Sequence, residues 1–406
     1  MASPFAVRSF RFQWPADLAT SWAFEMEALI LGWYILATTG SVQQLVIVAA
    51  LVWLGSLFSP FFGVGGDRIG HRALLCITRG IYALLAAVLT ALTLSDALRP
   101  WHVFVIAALA GLLRPSDMVM RHVLVSQTMR PDMLLGALGI SRTTSDSARV
   151  AGAFAGTAGV ALIGMGPAYA VVTAMYVAAF FLSLGVAKGA AHPAAAHPIA
   201  DLKQGFSYVW HKADLLGAFA IAFLVNLLAY PFVLGLLPYV AKDVYAVGQA
   251  GLGYLAAAFW SGALAGSLLV GAVRIPLRPA RAMLWNGALW FAALLLFGQT
   301  TSFALGLALL FATGFVQSFC LTPLAAVMLR SSEEAMRGRV MGVRMLAIWG
   351  LPLGLLAAGP IIAGMGYAAT TLLYAGLGLA ATLAIGYRWR RALWHRSAAA
   401  NAAYVG

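Results

Sequence analysis

Between residues 42 and 387 the chain is a succession of apolar runs, each about twenty residues long or longer, parted by short polar turns. Coiled as an α-helix at about 1.5 Å per residue, such a run matches the hydrocarbon thickness of a bilayer. With about 20 residues per span, 406 residues allow about twelve spans. Only 10% of the residues are charged, against about 25% in a soluble domain. The chain therefore reads as an all-α membrane protein of twelve transmembrane helices. The expected spans are 15–38, 42–63, 73–94, 101–128, 133–163 and 167–188, then 215–240, 251–273, 282–299, 302–329, 340–363 and 367–387.

Residues 189–213 interrupt the pattern with a polar, proline-bearing stretch whose second half is amphipathic. They read as a cytoplasmic linker followed by an interfacial helix. It would join a first six-helix bundle, residues 1–188, to a second, residues 214–390, with a basic tail at 391–406. His192 and His197 lie among prolines and alanines and read as solvated linker. Cys76 and Cys320 sit in apolar runs, so neither a disulfide framework nor a metal site is expected. Arg8 and Arg11 would suit a signal peptide, but the long segment after them carries Asp17, Glu25 and Glu27. If the N-terminus is cytoplasmic, the outer loops hold only Arg99 and Lys242. Nearly all other basic residues then fall inside, which sets both termini in the cytoplasm. The net charge of +13 is thereby explained by membrane orientation, without a nucleic-acid partner.

Charges inside the spans narrow the function. Each costs at least about 2.5–3.5 kcal/mol to insert, so such charges mark either a structural lock between helices or a site of substrate binding, ion coupling or gating. Arg114, Asp117 and Arg121 are spaced three and then four apart in span 4. Arg142, Asp146 and Arg149 are spaced four and then three apart in span 5. Each triplet shares one helix face, and the two mirror each other about the Pro131–Asp132 turn. In an antiparallel hairpin, like charges would lie at equal depth. The expected pairs are then diagonal: Arg114 with Asp146, and Asp117 with Arg149. The hairpin carries two excess positive charges. Glu25 and Glu27 of span 1 are one candidate source of neutralisation. An anionic substrate, held by guanidinium forks, is the other. Asp17, Thr20, Ser21, Glu25 and Glu27 fall in one wide arc that must face protein or water.

The two halves show faint internal symmetry. Arg72-Ala-Leu-Leu is matched by Arg281-Ala-Met-Leu, and Gly152-Ala-Phe-Ala-Gly156 by Gly262-Ala-Leu-Ala-Gly266. Such glycine pairs let helix backbones approach closely. Two related six-helix halves are a transporter architecture.

Between spans 2 and 3 stand Gly63, Asp67, Arg68, Gly70 and Arg72. The motif is Gly, three residues, Asp-Arg, one residue, Gly, one residue, Arg. With that motif in that loop, the chain resembles the major facilitator superfamily. Residues 236–266 and 337–360 resemble a branch of exporters that includes enterobactin exporters. The resemblance implies two six-helix domains working by alternating access. It also implies that Asp67, Arg68 and Arg72 steady an outward-open state by docking against the cytoplasmic end of span 11. Span 5 keeps Gly152, Gly156 and Gly159 but has no proline among them, which counts against drug–proton antiport.

The expected function is a secondary active transporter of a small organic molecule in a bacterial inner membrane, working as a monomer and exporting its cargo against protons. Candidate proton carriers are Glu25, Glu27, Asp117 and Asp146. Candidate substrate contacts are Arg114 and Arg149, with Asn226, Tyr230, Trp260, Gln317 and Trp349. Arg121 and Arg142 suit gating. An uptake symporter or facilitator for an anionic metabolite is the alternative, and a non-transporting scaffold or sensor a third. No cofactor is implied. No nucleophile–base pair, metal cluster or phosphate loop stands out, so an enzyme is not expected.

Overall fold

The computed structural model describes residues 4–58, 69–188, 198–272, 278–333 and 336–394. Among them the only regular structure is helical. The first six spans are α1 (Arg8–Thr39), α2 (Val42–Leu51), α3 (His71–Leu94), α4 (Pro100–Thr128), α5 (Pro131–Ile163) and α6 (Met165–Leu184). The linker carries α7 (Pro198–His211). Span 7 opens with α8 (Ala213–Leu228) and continues as α9 (Tyr230–Leu234). Then follow α10 (Gln249–Ala272), α11 (Pro279–Gln299), α12 (Phe303–Arg330), α13 (Arg337–Leu346), α14 (Gly350–Arg388) and the short α15 (Arg390–Trp394).

Seven described helices are long and apolar enough to cross a membrane, and the bent pair α7–α8 makes an eighth. The remaining spans are less apolar or shorter for physical reasons. α1 and α5 carry the buried charges, and α2 is short. The last segment to pass holds two spans, divided at Gly366 (φ 80°, ψ 168°). Gly164, between α5 and α6, has nearly the same dihedrals, φ 82° and ψ 168°. Positive φ of this kind is open to glycine and costly for other residues. The same backbone device thus joins spans 5 and 6 and spans 11 and 12, and it makes the internal symmetry concrete.

Two spans depart from the expected continuous helices. Span 2 leaves α-helix after Leu51 for a 3-10 turn at Leu54–Phe58. There Gly55 and Gly111 of α4 press together: a Cβ on Gly55 would sit 2.4 Å from the Gly111 carbonyl oxygen. Span 7 breaks after Leu228 and again after Leu234, then ends in a π turn at Val240–Val244. Pro231 and Pro238 lack the N–H a continuous helix needs.

The chain forms two compact units: Met1–Pro198 with Leu234–Trp260, and Ile199–Val233 with Ser261–Gly406. In the first unit α1 is the hub. It packs along α5 and α6 and also touches α2 and α4, whereas α4 and α5 meet sparingly. Ile30, Ile35, Tyr82, Leu89, Tyr169 and Val172 form its core between α1, α3 and α6. α5 approaches α1 at Gly152 and Gly156, where an added Cβ would lie 2.9 Å from Glu25 Cβ and 2.8 Å from Met26 Cα. Gly156→Leu should therefore push α5 off α1 and cost about 1–3 kcal/mol, the usual penalty of overpacking. The midpoint of thermal unfolding in detergent measures it; an unchanged midpoint would contradict the contact. Span 7 returns to this unit: Lys242 Nζ donates to the Leu36 carbonyl at 3.1 Å, near the end of α1. In the second unit α10 presses Gly262 and Gly266 onto α12, their Cβ positions 2.0 and 2.5 Å from the Phe311 and Phe315 carbonyl oxygens.

Candidate functional site

The charged residues of the first unit separate into a closed lock and an open cluster. The lock is centred on Arg79 of α3, whose side chain is fully buried. Its Nη2 donates to Asp17 of α1, its Nε to Asp117 of α4 at 2.9 Å, and its Nη1 to Ser183 of α6 at 2.8 Å. The second oxygen of Asp117 accepts from Arg121, through Nη2 and also Nε at 3.1 Å. Arg121 then reaches Ser21 Oγ of α1 at 3.2 Å, and its carbonyl accepts from Gln13 at 2.7 Å. Two arginines and two aspartates balance, and four helices are tied at one level. Each carboxylate meets a guanidinium with good geometry, which is the condition under which buried charges are tolerated.

The open cluster lies further along α1. Glu25 Oε1 is 3.6 Å from Arg149 Nε, and Arg149 Nη1 is 3.5 Å from Asp146 Oδ1. These side chains keep solvent access, 28% for Arg149 and 19% for Glu25, so the pairs are loose. The Arg149 guanidinium also stands 4.4 Å over the ring of Trp260. One residue back on α1, Phe24 covers one face of the Arg114 guanidinium at 3.6 Å, and Trp53 lies 4.0 Å from it. Among the described residues no carboxylate lies within ion-pair distance of Arg114. A guanidinium carries five N–H donors in a fixed fork. The arrangement suits a bidentate anion.

Glu27 stands apart from the arginines. Both of its oxygens accept tyrosine hydroxyls from α6, one from Tyr169 and the other from Tyr176 at 2.8 Å. The diagonal pairs expected across the α4–α5 hairpin do not form. Asp117 is engaged by Arg79 and Arg121, and Arg149 by Glu25 and Asp146. The reason is the position of α1, which lies along α5 and draws the α5 charges toward itself. The sequence pattern does not single out Arg79, which falls among the basic residues read as lying on the cytoplasmic side. The available signal was its place, two turns inside an apolar run, together with the otherwise unmatched Asp17.

In the loop before α3, Gly63, Asp67 and Arg68 lie outside the described residues, as does the Arg142 side chain. Gly70 has φ 96° and starts α3. Arg72 donates to the Leu184 carbonyl, the last residue of α6, where helix carbonyls lack intrahelical partners. Its partner in this unit is therefore α6. In the second unit, Gln317 Nε2 donates to Tyr230 Oη at 2.7 Å, and Tyr230 meets Trp290 edge-on at 5.2 Å. Gln317 Oε1 and Trp349 Nε1 are buried with no hydrogen-bond partner among the described residues. Asn226 donates to its own helix at Ala222. Of the second-half candidates, Tyr230 and Gln317 thus meet, Asn226 is spent locally, and Trp260 joins Arg149 in the first unit.

Comparison with known proteins agrees with this architecture. The family model described as Major Facilitator Superfamily matches residues 16–347. No curated protein matches the sequence. Among solved structures, the nucleoside transporter NupG is similar with a TM-score of 0.74 at 13% identity, covering 93% of this chain and 98% of its own. A bacterial homologue of the human lysosomal transporter Spinster, in an inward-facing and unoccupied conformation, gives 0.73 at 13% identity, with 98% and 100% covered. A D-xylose–proton symporter gives 0.73 at 11% identity, with 93% and 96% covered. Identities this low establish the shared fold alone.

Proposed function

The chain belongs to the Major Facilitator Superfamily, a family of multi-pass membrane transporters, and from that premise we propose that it carries a small organic anion by alternating access, with a proton bound alongside. The observation that carries this reading is the Arg114 guanidinium, held against two rings with no carboxylate within ion-pair distance among the described residues. Nearby, Arg149 is shared loosely between Glu25 and Asp146. A substrate carboxylate drawn to these arginines competes with Glu25 for Arg149. Once displaced, Glu25 is a carboxylate without its cation in a low-dielectric site, and a proton restores neutrality. Anion and proton then bind together, which is the requirement for cotransport. The lock leaves Asp117 out of this exchange, because protonating it would strip Arg79 and Arg121 of their shared counter-charge.

A second reading is favoured by the sequence: residues 236–266 and 337–360 resemble exporters, which points to outward transport against protons. In either case we place both termini in the cytoplasm on the distribution of lysine and arginine, and we take the protein as a monomer in a bacterial inner membrane. Flux into proteoliposomes under an imposed pH gradient separates the readings. With a panel of labelled monocarboxylates, acid outside should accelerate uptake. Glu25→Gln should abolish that acceleration while equilibrium exchange across the membrane continues, and Asp146→Asn should weaken it. Acceleration of exit instead would establish export, and wild-type flux blind to the gradient would reject proton coupling altogether.

A further inference from the structure

The linker helix α7 has a face that the transport reading does not use. Across the break at Lys212, α7 bends by 110° into α8. With α8 crossing the bilayer, α7 lies nearly in the plane of the membrane surface. Its inner face is packed: Val209 is buried, and Gly205 leaves no room for a Cβ, which would stand 2.9 Å from the Arg339 carbonyl oxygen. Its outer face carries Lys203, Phe206 and Trp210 at spacings of three and four. Phe206 is 41% and Trp210 59% exposed. The two rings stack at 5.8 Å, and Phe206 meets Phe219 of α8 edge-on at 6.4 Å. An aromatic shelf therefore runs continuously from the surface helix onto the spanning helix. Such rings sit stably at the boundary between headgroups and acyl chains.

Charge gathers at the same corner. Trp389 and Leu393 pack against Gly217, one turn into α8. They bring exposed Arg388, Arg390 and Arg391 to that end of the unit. On the inner side, Tyr208 Oη accepts from Lys212 Nζ at 2.5 Å and from the Glu333 backbone N–H at 3.1 Å, and it donates to Glu333 Oε1 at 3.2 Å. Hydrogen bonds from Lys212 and Tyr208 hold the Glu333 carboxyl below the usual carboxylate range. Glu333 is thus already matched to Lys212, and Asp214, in the first turn of α8, accepts from the Leu215 backbone N–H at 3.0 Å, while the three arginines and Lys203 are exposed. Because Glu333 lies just before α13, the clip also ties α7 to the entry of span 11.

We propose that α7 and α15 form a collar that binds anionic phospholipid headgroups at the cytoplasmic surface, with Phe206 and Trp210 inserted below them. Each exposed cation near an anionic surface adds attraction, so the collar selects anionic over zwitterionic lipid.

The test uses the full-length protein with a bimane label on Ser207→Cys. Ser207 is an exposed flank position, and the native Cys76 and Cys320 are buried. The labelled protein is placed in nanodiscs that contain either brominated phosphatidylglycerol or brominated phosphatidylcholine at equal mole fraction. Quenching by the brominated phosphatidylglycerol should exceed that by phosphatidylcholine at least about twofold. The preference should vanish in the triple variant Arg388→Gln, Arg390→Gln, Arg391→Gln, and in high salt, as surface electrostatics require. Trp210→Ala should lower quenching by both lipids. No quenching by either lipid would mean that α7 is not on the membrane. Equal quenching by both would overturn the headgroup assignment. Loss of the preference on adding inorganic phosphate alone, at constant ionic strength, would mark a free-anion site instead of a lipid collar.

Discussion

Arg114→Leu is expected to lower transport of an anionic substrate by about 10- to 100-fold while leaving the fold intact. The size follows from the interaction lost. A hydrogen bond to a charged group contributes about 1.5–3 kcal/mol, and the guanidinium offers a paired set. Stability should hardly move, because among the described residues Arg114 packs against two rings and has no carboxylate within ion-pair distance. Cation–π contacts are worth about 0.5–2 kcal/mol each, and removing a charge from the membrane interior offsets much of that loss. Arg114→Lys keeps the charge but loses the planar fork, so it should fall between wild type and leucine. Uptake by proteoliposomes, set beside thermal unfolding of the same preparations, separates the two effects. Full transport by the leucine variant would remove the anion site from this account. Equal losses of flux and stability would make Arg114 a structural residue.

The opposite pattern is expected at Arg79. Removing one partner of a buried ion pair typically costs about 3–5 kcal/mol. Arg79→Ala takes away the guanidinium that Asp17 faces, leaves Asp117 to Arg121 alone, and removes the donor to the Ser183 hydroxyl. The unfolding midpoint should fall by on the order of 10 °C, and much of the protein should fail to reach the membrane in folded form. Lysine is a poor substitute, since one ammonium on a flexible stem cannot meet Asp17, Asp117 and Ser183 in three directions. Coupling tests the assignment: Asp17→Asn combined with Arg79→Met should cost clearly less than the sum of the two single changes, because the stranded charge is gone. Strict additivity would mean that the two residues do not act as a pair.

The contrast between these arginines also shows what the sequence could and could not reveal. Span ends were legible wherever proline or glycine punctuates an apolar run. Residues 101–128 were expected to be helical and Pro100–Thr128 are. Residues 73–94 were expected and His71–Leu94 are found. Faces were legible too, since the four-residue spacing of Asp117 and Arg121 places them together on α4, and they pair. Neighbours were not. Spacing fixes which side of a helix a charge occupies, but not which helix stands opposite. The mirrored triplets suggested that α4 and α5 would answer each other, whereas α1 takes the α5 charges and α3 supplies the missing cation to α4. Glu25 was anticipated as a neutraliser and reaches Arg149; Glu27, two residues on, points to the tyrosines of α6. A rotation of that size separates the two glutamates onto different neighbours.

The first compact unit draws its last piece, Leu234–Trp260, from well beyond its own six spans. During synthesis, the ribosome has therefore delivered every residue up to Pro198 before that piece exists. Arg149 must wait for Trp260, and the end of α1 for Lys242. The Arg79 cluster waits for nothing: its members run from Gln13 to Ser183 and are all present once α6 is made. It is the device that can hold the nascent bundle together in the membrane while the rest of the chain is still being translated.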